Sequence, residues 1–307
     1  MPAPTTTRSA ATSPPTPVSP LAWIGAVLAL SWLGACTGLA APGASSAPTP
    51  DSSMQALVLR QPVVMLGEVH DNAAQHAFRE RALRDWLAAG ARPVLVMEQF
   101  DRERQGELDA LLARTPKPDA DTVIAAVGGK GWDWSLYRPY IALALQHGLP
   151  IVAANVSREQ ARQVMREGLA PLGFDASVPD GLLKRLASEI EASHCGALDA
   201  AAARRMALAQ VARDQAMAGM VERYAQAGRE VLLLAGNGHV RRDAGAPLWL
   251  SPATRGRSEA IGVLERAPGE PPDAAEAAQF DRVVFTAVQQ RSDPCAEMRT
   301  APAPVKR

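Results

Sequence analysis

The chain has few aromatic residues and no excess of charge of either sign. Aromatic residues make up 5% of its 307 residues, which mildly disfavours a deep, flat ligand slot within one subunit. Lysine plus arginine and aspartate plus glutamate both number 32, so there is no global basic field to attract nucleic acid. We therefore expect no nucleic-acid partner.

Cysteines are also scarce: Cys36, Cys195 and Cys295 are the three present. The lack of Cys-x-x-Cys-His excludes covalent c-type haem attachment, and the lack of any Cys-x-x-Cys pair argues against a thiolate zinc site. Cys195 and Cys295 could form a disulfide in an oxidising compartment, with a reduced, buried pair as the alternative.

The apolar run at residues 21–33 is too short to span a bilayer comfortably, but it suits the core of a secretory signal. The segment Leu33-Gly34-Ala35-Cys36 that ends it is similar to the lipobox of bacterial lipoproteins. We predict a signal peptide at residues 1–35 and a lipid anchor on Cys36. The expected location is the cell envelope, at the outer membrane facing the periplasm in a Gram-negative cell. An ordinary signal peptide is the alternative.

Composition divides the remaining chain into a tether, one domain and a tail. Residues 36–54 are rich in alanine, proline, serine and threonine, which is typical of a flexible tether. We predict an α/β domain over residues 55–290 and a flexible tail over residues 291–307.

Four short apolar runs predict strands that are buried on both faces, at residues 62–66, 93–97, 150–153 and 230–235. Helical segments separate them, so we predict a mostly parallel central sheet with helices on both faces. The long gap before the fourth run predicts a helical insertion at about residues 160–228. A C-terminal strand pair, at residues 259–265 and 282–288, is expected to be antiparallel.

Polar side chains follow all four predicted strands: Glu68 and His70, then Glu98, then Asn155 and Arg158, and finally Asn237 and His239. The carboxyl ends of parallel strands form one edge of a sheet, and ligands bind in the crevice there. Taken singly, each residue is equally well explained as a helix cap or a turn residue. Their convergence on one edge favours a binding site.

The strings LGEVHDN, VLVMEQF, IVAANVSRE and LLLAGNGHVRRDAG occur in this order. They resemble the ChaN-like proteins, haem-binding and iron-uptake lipoproteins in a superfamily with Tiki-type peptidases and erythromycin-esterase-like proteins. The resemblance implies an exported lipoprotein that binds haem, or a related small ligand, for iron or haem uptake or storage. Its fold would be the predicted α/β sheet.

The resemblance also implies tyrosine ligation of the haem iron. Tyr137, in the pattern formed by Trp134, Tyr137 and Pro139, matches the family, although these aromatic residues could instead pack a helix against the sheet. His194 is a second candidate ligand, with a plain surface loop as the alternative.

Further candidates for cofactor binding are Arg158, Asn155, Asn237 and Arg213. Cationic side chains among them would face the haem propionates. For Arg213 and its neighbour Asp214, pairing on a solvated helix face is the alternative. Because aromatic residues are few, a homodimer that shares the haem between two subunits is a further hypothesis.

A second function remains open, that of a metal-dependent hydrolase of the peptidase or esterase type. Glu68, His70, Glu98 and His239 supply the oxygen and nitrogen ligands that a divalent metal needs, with a carboxylate left to act on water. They lack the close helical spacing of the His-Glu-x-x-His motif, so the identity of the metal is not predicted.

Overall fold

The computed structural model describes residues 57–114, 116–293 and 295–296. The predicted signal peptide, the predicted lipidation site Cys36 and the predicted tether all lie outside these residues.

Six strands form one sheet: β1 Val63–Leu66, β2 Val94–Asp101, β3 Ile151–Asn155, β4 Val231–Leu234, β5 Ser258–Glu265 and β6 Arg282–Thr286. Their order across the sheet is β3-β2-β4-β1-β5-β6, and every neighbouring pair is parallel. The predicted parallel α/β sheet is therefore confirmed. β1 lies inside it, with Val64 opposite Leu232 of β4 and Glu259 of β5.

The described helices are α1 Ala73–Ala88, α2 Gln105–Leu112, α3 Ala120–Val127, α4 Trp134–His147, α5 Arg158–Glu167, α6 Asp180–Ser193, α7 Ala200–Gln226, α8 Asn237–Val240, α9 Pro252–Gly256 and α10 Ala274–Ala277. Short 3₁₀ turns lie at Arg102–Arg104, Ala170–Leu172 and Ala246–Trp249. Within this described part of the chain, no helix combines the length and the apolarity needed to cross a membrane.

Successive side chains of a strand point to opposite faces of the sheet, and each face here has its own helical layer. Val64 and Leu66 lie in the core that α1, α2, α3 and α4 cover. Val63 and Met65 lie in the core on the other face, which α7 covers. Because both faces are buried, the strands are continuous apolar runs rather than alternating ones.

The predicted insertion between β3 and β4 consists of α5, α6 and α7. These helices pack on one another through an apolar cluster of their own, which includes Val164, Leu186 and Val211. Ser157 caps α5, since its side chain accepts a hydrogen bond from the backbone N–H of Gln160. The insertion thus adds a compact helical layer beside the end of β3.

The C-terminal strand pair is parallel, so the predicted antiparallel pairing is wrong. Val263 of β5 lies opposite Val284 of β6, with the two strands running the same way. Residues 266–281, which include α10, are long enough to carry the chain back along the sheet before β6 begins, whereas a short hairpin would have reversed the strand.

Cys195 and Cys295 form a disulfide, which resolves the alternatives that the sequence left open. Cys195 follows α6, and Cys295 comes after β6. Between β6 and Cys295, Arg291 forms salt bridges with Asp71 and Glu265. Arg291 and Cys295, which were assigned to the flexible tail by prediction, are therefore both fastened to the domain.

Candidate functional site

Glu68 lies just beyond β1, and its side chain is completely buried. One carboxylate oxygen, Oε1, accepts hydrogen bonds from the Tyr137 hydroxyl at 2.6 Å and from His70 Nδ1 at 2.8 Å. The other oxygen forms an ion pair with Arg79 and lies 3.6 Å from His76 Nε2. A buried carboxylate is stable only when it is paired in this way.

Arg79, the partner of Glu68, is a residue that the sequence analysis missed. It lies on α1, its side chain is fully buried, and it also donates to the carbonyl oxygen of Leu66 at 3.0 Å. A signal was present, because Arg79 lies on the same helical face as the buried residues His76, Ala82 and Leu83. A charged residue on the apolar face of a helix requires a buried partner of opposite charge.

His239 of α8, which follows β4, lies between two carboxylates, Glu98 of β2 and Asp214 of α7. Its Nδ1 lies 2.6 Å from Asp214 Oδ1, and its Nε2 lies 3.3 Å from Glu98 Oε1. Glu98 also accepts the backbone N–H of Gly236 at 2.8 Å. Asp214 belongs to α7 and is buried, so its side chain lies in the site and not on a solvated face of the helix.

The electrostatics of this trio favour an imidazolium between two carboxylates. Burial opposes a charge on His239, but Glu98 and Asp214 outweigh it and raise the pKa of His239. Burial likewise opposes ionisation of Glu98, yet His239 lowers the pKa of Glu98 to about 2. For Asp214 burial dominates and raises the pKa to about 6. At neutral pH the trio carries a net charge of about −1.

His70 lies between the two clusters and is the member that solvent reaches, since 46% of its side chain is exposed. A Cβ on Gly236 would lie 2.9 Å from His70 Nε2 and 3.8 Å from Glu98 Oε2, so only glycine leaves room for the ring. Partial burial lowers the pKa of His70. The ring meets the edge of Trp132, with centroids 4.9 Å apart.

The four predicted metal ligands do not fit a divalent metal in this arrangement. Among the residues that the structure describes, no three His, Cys, Asp or Glu side chains are placed to hold one. Glu68 is committed to Arg79 and Tyr137. Both ring nitrogens of His239 face carboxylates, Asp214 at Nδ1 and Glu98 at Nε2. We therefore derive no hydrolytic step from these residues.

Two adjoining cavities lie beside this network. The first, of about 340 Å³, lies among α5, α6 and α7, and the second, of about 530 Å³, lies at the ends of β2 and β3. Arg158, Arg162 and Arg213 line both. Both volumes are in the range of small-molecule sites. The apolar wall of the first cavity is formed by Ala161, Met165, Ile190, Met206 and Ala209.

Four cations line these cavities without a salt bridge of their own. Within the described residues, the side chains of Lys130, Arg158, Arg162 and Arg213 form no hydrogen bond and no salt bridge, and Arg158 and Arg213 interact with Asp101 only at longer range. Asp101 lies in the wall of the second cavity, and burial raises its pKa. Because unpaired guanidinium groups bind carboxylates and phosphates strongly, the cavities suit an anionic ligand.

The structure places four of the six predicted cofactor-binding residues in these cavities. His194, Arg158 and Arg213 line the first, and Asn155 lines the second together with the two arginines. Lys130 and Arg162 were not predicted from the sequence. Arg162 could have been, because it lies four residues after Arg158 on α5, and residues at this spacing lie side by side on a helix.

Tyr137 and Asn237 line neither cavity. Tyr137 is 1% exposed, and burial raises the pKa of its hydroxyl, which disfavours the phenolate needed for iron ligation. The Asn237 side chain bonds to the backbone of Val263 as both donor and acceptor, so it ties α8 to β5.

Comparison with known proteins identifies similar sequences and folds. The family model described as "Haem-binding uptake, Tiki superfamily, ChaN" matches residues 54–250. A solved structure of ChaN from Campylobacter jejuni, described as binding haem cofacially, is 20% identical with a TM-score of 0.58, covering 69% of this chain and 84% of its own. No curated protein matches the sequence.

Two other solved structures have lower TM-scores. A mutant erythromycin esterase in its open conformation is 15% identical, with a TM-score of 0.39 over 72% of this chain and 76% of its own. A Bacillus cereus protein is 14% identical, with a TM-score of 0.41 over 70% of this chain and 67% of its own.

Proposed function

The chain belongs to the ChaN haem-binding uptake family of the Tiki superfamily, and on this basis we propose that it binds haem in the two adjoining cavities. When bound, haem supplies a flat apolar macrocycle, an iron centre and two carboxylates. The observation that carries this proposal is the set of three unpartnered arginines beside an apolar cavity, Arg158, Arg162 and Arg213.

The residues present fit such a ligand. Met165, Ile190 and Met206 offer an apolar wall, and methionine adapts its shape readily to a bound ring. The arginines at the junction with the second cavity can each donate two hydrogen bonds to a carboxylate. Met165, Ile190 and Met206 would therefore contact the macrocycle, and Arg158, Arg162 and Arg213 would bind its carboxylates.

Titration of the purified protein with ferric haem, followed by visible absorbance, tests this proposal. We expect saturable binding that weakens by about tenfold or more in each of Arg158→Ala, Arg162→Ala and Arg213→Ala, the loss expected for a charge-assisted hydrogen bond. Arg166→Ala is the matched control, because Arg166 is exposed on α5 and lines neither cavity. Equal losses in all four variants, or no saturable binding, would refute the site.

We further propose that the protein is exported and anchored through Cys36, and that it serves haem or iron uptake or storage. The support is the short apolar run followed by a lipobox-like segment. Cells given a labelled fatty acid should incorporate it into the wild-type protein and not into Cys36→Ala. Label that persists in the variant would exclude lipidation at this cysteine.

Sharing of haem between two subunits also remains a proposal, and the low aromatic content of the chain supports it. Sedimentation of the haem complex distinguishes the two arrangements, since a monomeric complex would count against sharing.

A further inference from the structure

We propose that the Cys195–Cys295 disulfide is a redox switch that fixes the loop between α6 and α7 and thereby controls how fast ligands enter and leave the neighbouring site. The effect on ligand exchange rests on the proposed haem binding, whereas the release of the loop on reduction does not. Two segments take part. They are the loop, residues 193–199, and the strap, which we define as residues 287–293 and 295–296.

The strap is bound to the sheet at one end and to the helical insertion at the other. Arg291 donates paired hydrogen bonds to Asp71, which follows β1, and to Glu265 at the end of β5. Cys295 is bonded to Cys195 in the loop. The four residue steps from Arg291 to Cys295 span at most about 14 Å. The strap therefore holds the loop close to the end of β1, where the candidate site lies.

Within the described residues, the disulfide is the bond that ties the loop to a distant part of the chain. The hydrogen bonds of the loop are local, as when the backbone N–H of Cys195 donates to Ala192 and that of Gly196 donates to Glu191. No residue of the loop belongs to an apolar cluster. A segment with few buried apolar contacts opens at low cost in free energy, so the loop is free to move once the disulfide is reduced.

The disulfide lies at the surface, outside the core. Cys195 and Cys295 are half-buried, and residues 287–293 of the strap are all exposed. Thiols can reach exposed sulfur atoms, and exposed disulfides are the labile or regulatory ones. Because neither segment buries much apolar surface, the folded domain can persist when the bond between them is broken.

Movement of the loop reaches the site directly. His194 of the loop and Ile190 in the last turn of α6 line the cavity of about 340 Å³. Ser193 and Ile190 line an adjoining cavity of about 290 Å³. Loops that open and close over a site often set the rate at which ligands exchange. The oxidised loop therefore keeps these walls in place, and the reduced loop lets them open.

Reduction occurs by thiol–disulfide exchange with a dithiol. A thiolate of the dithiol attacks one sulfur, the Cys195–Cys295 bond breaks, a mixed disulfide forms, and the departing cysteine takes up a proton. The second thiol of the reductant then attacks the mixed disulfide and releases the other cysteine, which is also protonated. The dithiol is oxidised to a disulfide, and the two cysteines together gain two electrons and two protons.

The test compares the oxidised protein, the same protein reduced by a dithiol without denaturant, and the double variant Cys195→Ser/Cys295→Ser. The control Cys36→Ser lacks the third cysteine and keeps both cysteines of the disulfide. Hydrogen–deuterium exchange followed by mass spectrometry should show residues 193–199 exchanging about tenfold or more faster in the reduced protein and the double variant. Peptides from β1 and β4 should keep the rates of the control.

Stopped-flow absorbance with ferric haem measures the effect on ligand exchange, after any dithiol has been removed. We expect the association and dissociation rate constants of the double variant both to rise by about tenfold relative to Cys36→Ser, because an untied loop opens more often.

A disulfide that is reduced only in denaturant, or loop exchange that is unchanged in the folded reduced protein, would overturn the switch. So would unchanged haem rate constants in a protein whose loop has been released. Absence of haem binding in the wild-type protein would refute the proposed function instead, and hydrogen exchange would still decide whether reduction frees the loop. Circular dichroism checks that each protein is folded, and reduction of the folded wild type supplies the comparison if the double variant does not fold.

Discussion

Replacing Arg79 by methionine should lower the free energy of unfolding by about 3–5 kcal/mol, the usual cost of removing one partner of a buried ion pair. Glu68 and Arg79 are both completely buried, so the change leaves the carboxylate in the core without its countercharge. Domains of this kind are stable by only about 5–15 kcal/mol. Urea denaturation followed by circular dichroism measures the loss.

Two further variants show whether the missing countercharge is the cause. Arg84→Ala removes an exposed Arg84–Glu80 pair from the same helix and should cost about 0.5 kcal/mol or less. Glu68→Gln combined with Arg79→Met should be more stable than Arg79→Met alone, because it removes the unpaired charge. A double variant no more stable than the single one would show that lost packing, and not charge, is responsible.

Replacing Gly245 by alanine should destabilise the protein by about 3 kcal/mol or more, at the upper end of the usual cost of overpacking. A Cβ there would lie 2.5 Å from the carbonyl carbon of His239 and closer still to its oxygen. These are backbone atoms, so relief requires a shift of the backbone at His239 or at Gly245 itself. Thermal and urea unfolding both report the change.

Gly219→Ala supplies the opposite result as a control. Gly219 is exposed within α7, and a Cβ there would meet nothing within 4 Å. Alanine should stabilise the helix by about 0.5–1 kcal/mol, since it loses less backbone entropy on folding than glycine. If both substitutions shift stability in the same direction, close approach at Gly245 does not govern its effect.

The strands could be predicted from the sequence because a strand that is buried on both faces is a continuous run of apolar residues. The predicted run at residues 150–153 overlaps β3, and the run at 230–235 contains β4. The predicted end of β2 was too early: the strand continues to Asp101 through polar residues that are buried by the site. An apolar run therefore predicts a strand only up to the point where the polar side chains of the site begin.

Partners that are distant in sequence could not be predicted in the same way. Nothing local shows that Glu68 pairs with Arg79, that His239 pairs with Asp214, or that Cys195 meets Cys295. The first two pairs follow from packing α1 and α7 on opposite faces of the sheet. The predicted direction of β6 was wrong for a related reason. The direction of a strand depends on the path of the connection before it, here between β5 and β6, and not on the residues of the strand itself.

The candidate site was only partly accessible to sequence reasoning. Side chains after the strands did converge, as the topology of parallel sheets requires. However, the converging side chains form a network of buried charged groups around Glu68 and His239. The two cavities lie beside this network. The wall of the first cavity comes from α5, α6 and α7, whose mutual packing cannot be predicted from the strands.

The position of β1 has a consequence for the order in which the chain folds. β1 is the first strand to emerge from the ribosome or from a membrane pore, yet both of its neighbours, β4 and β5, come from the last third of the domain. No hydrogen-bonded ladder on either side of β1 can form until that part of the chain has followed it. Pairing of β1 therefore comes late and carries a high cost of loop closure. A chain of this topology completes its central sheet only when nearly the whole domain is available.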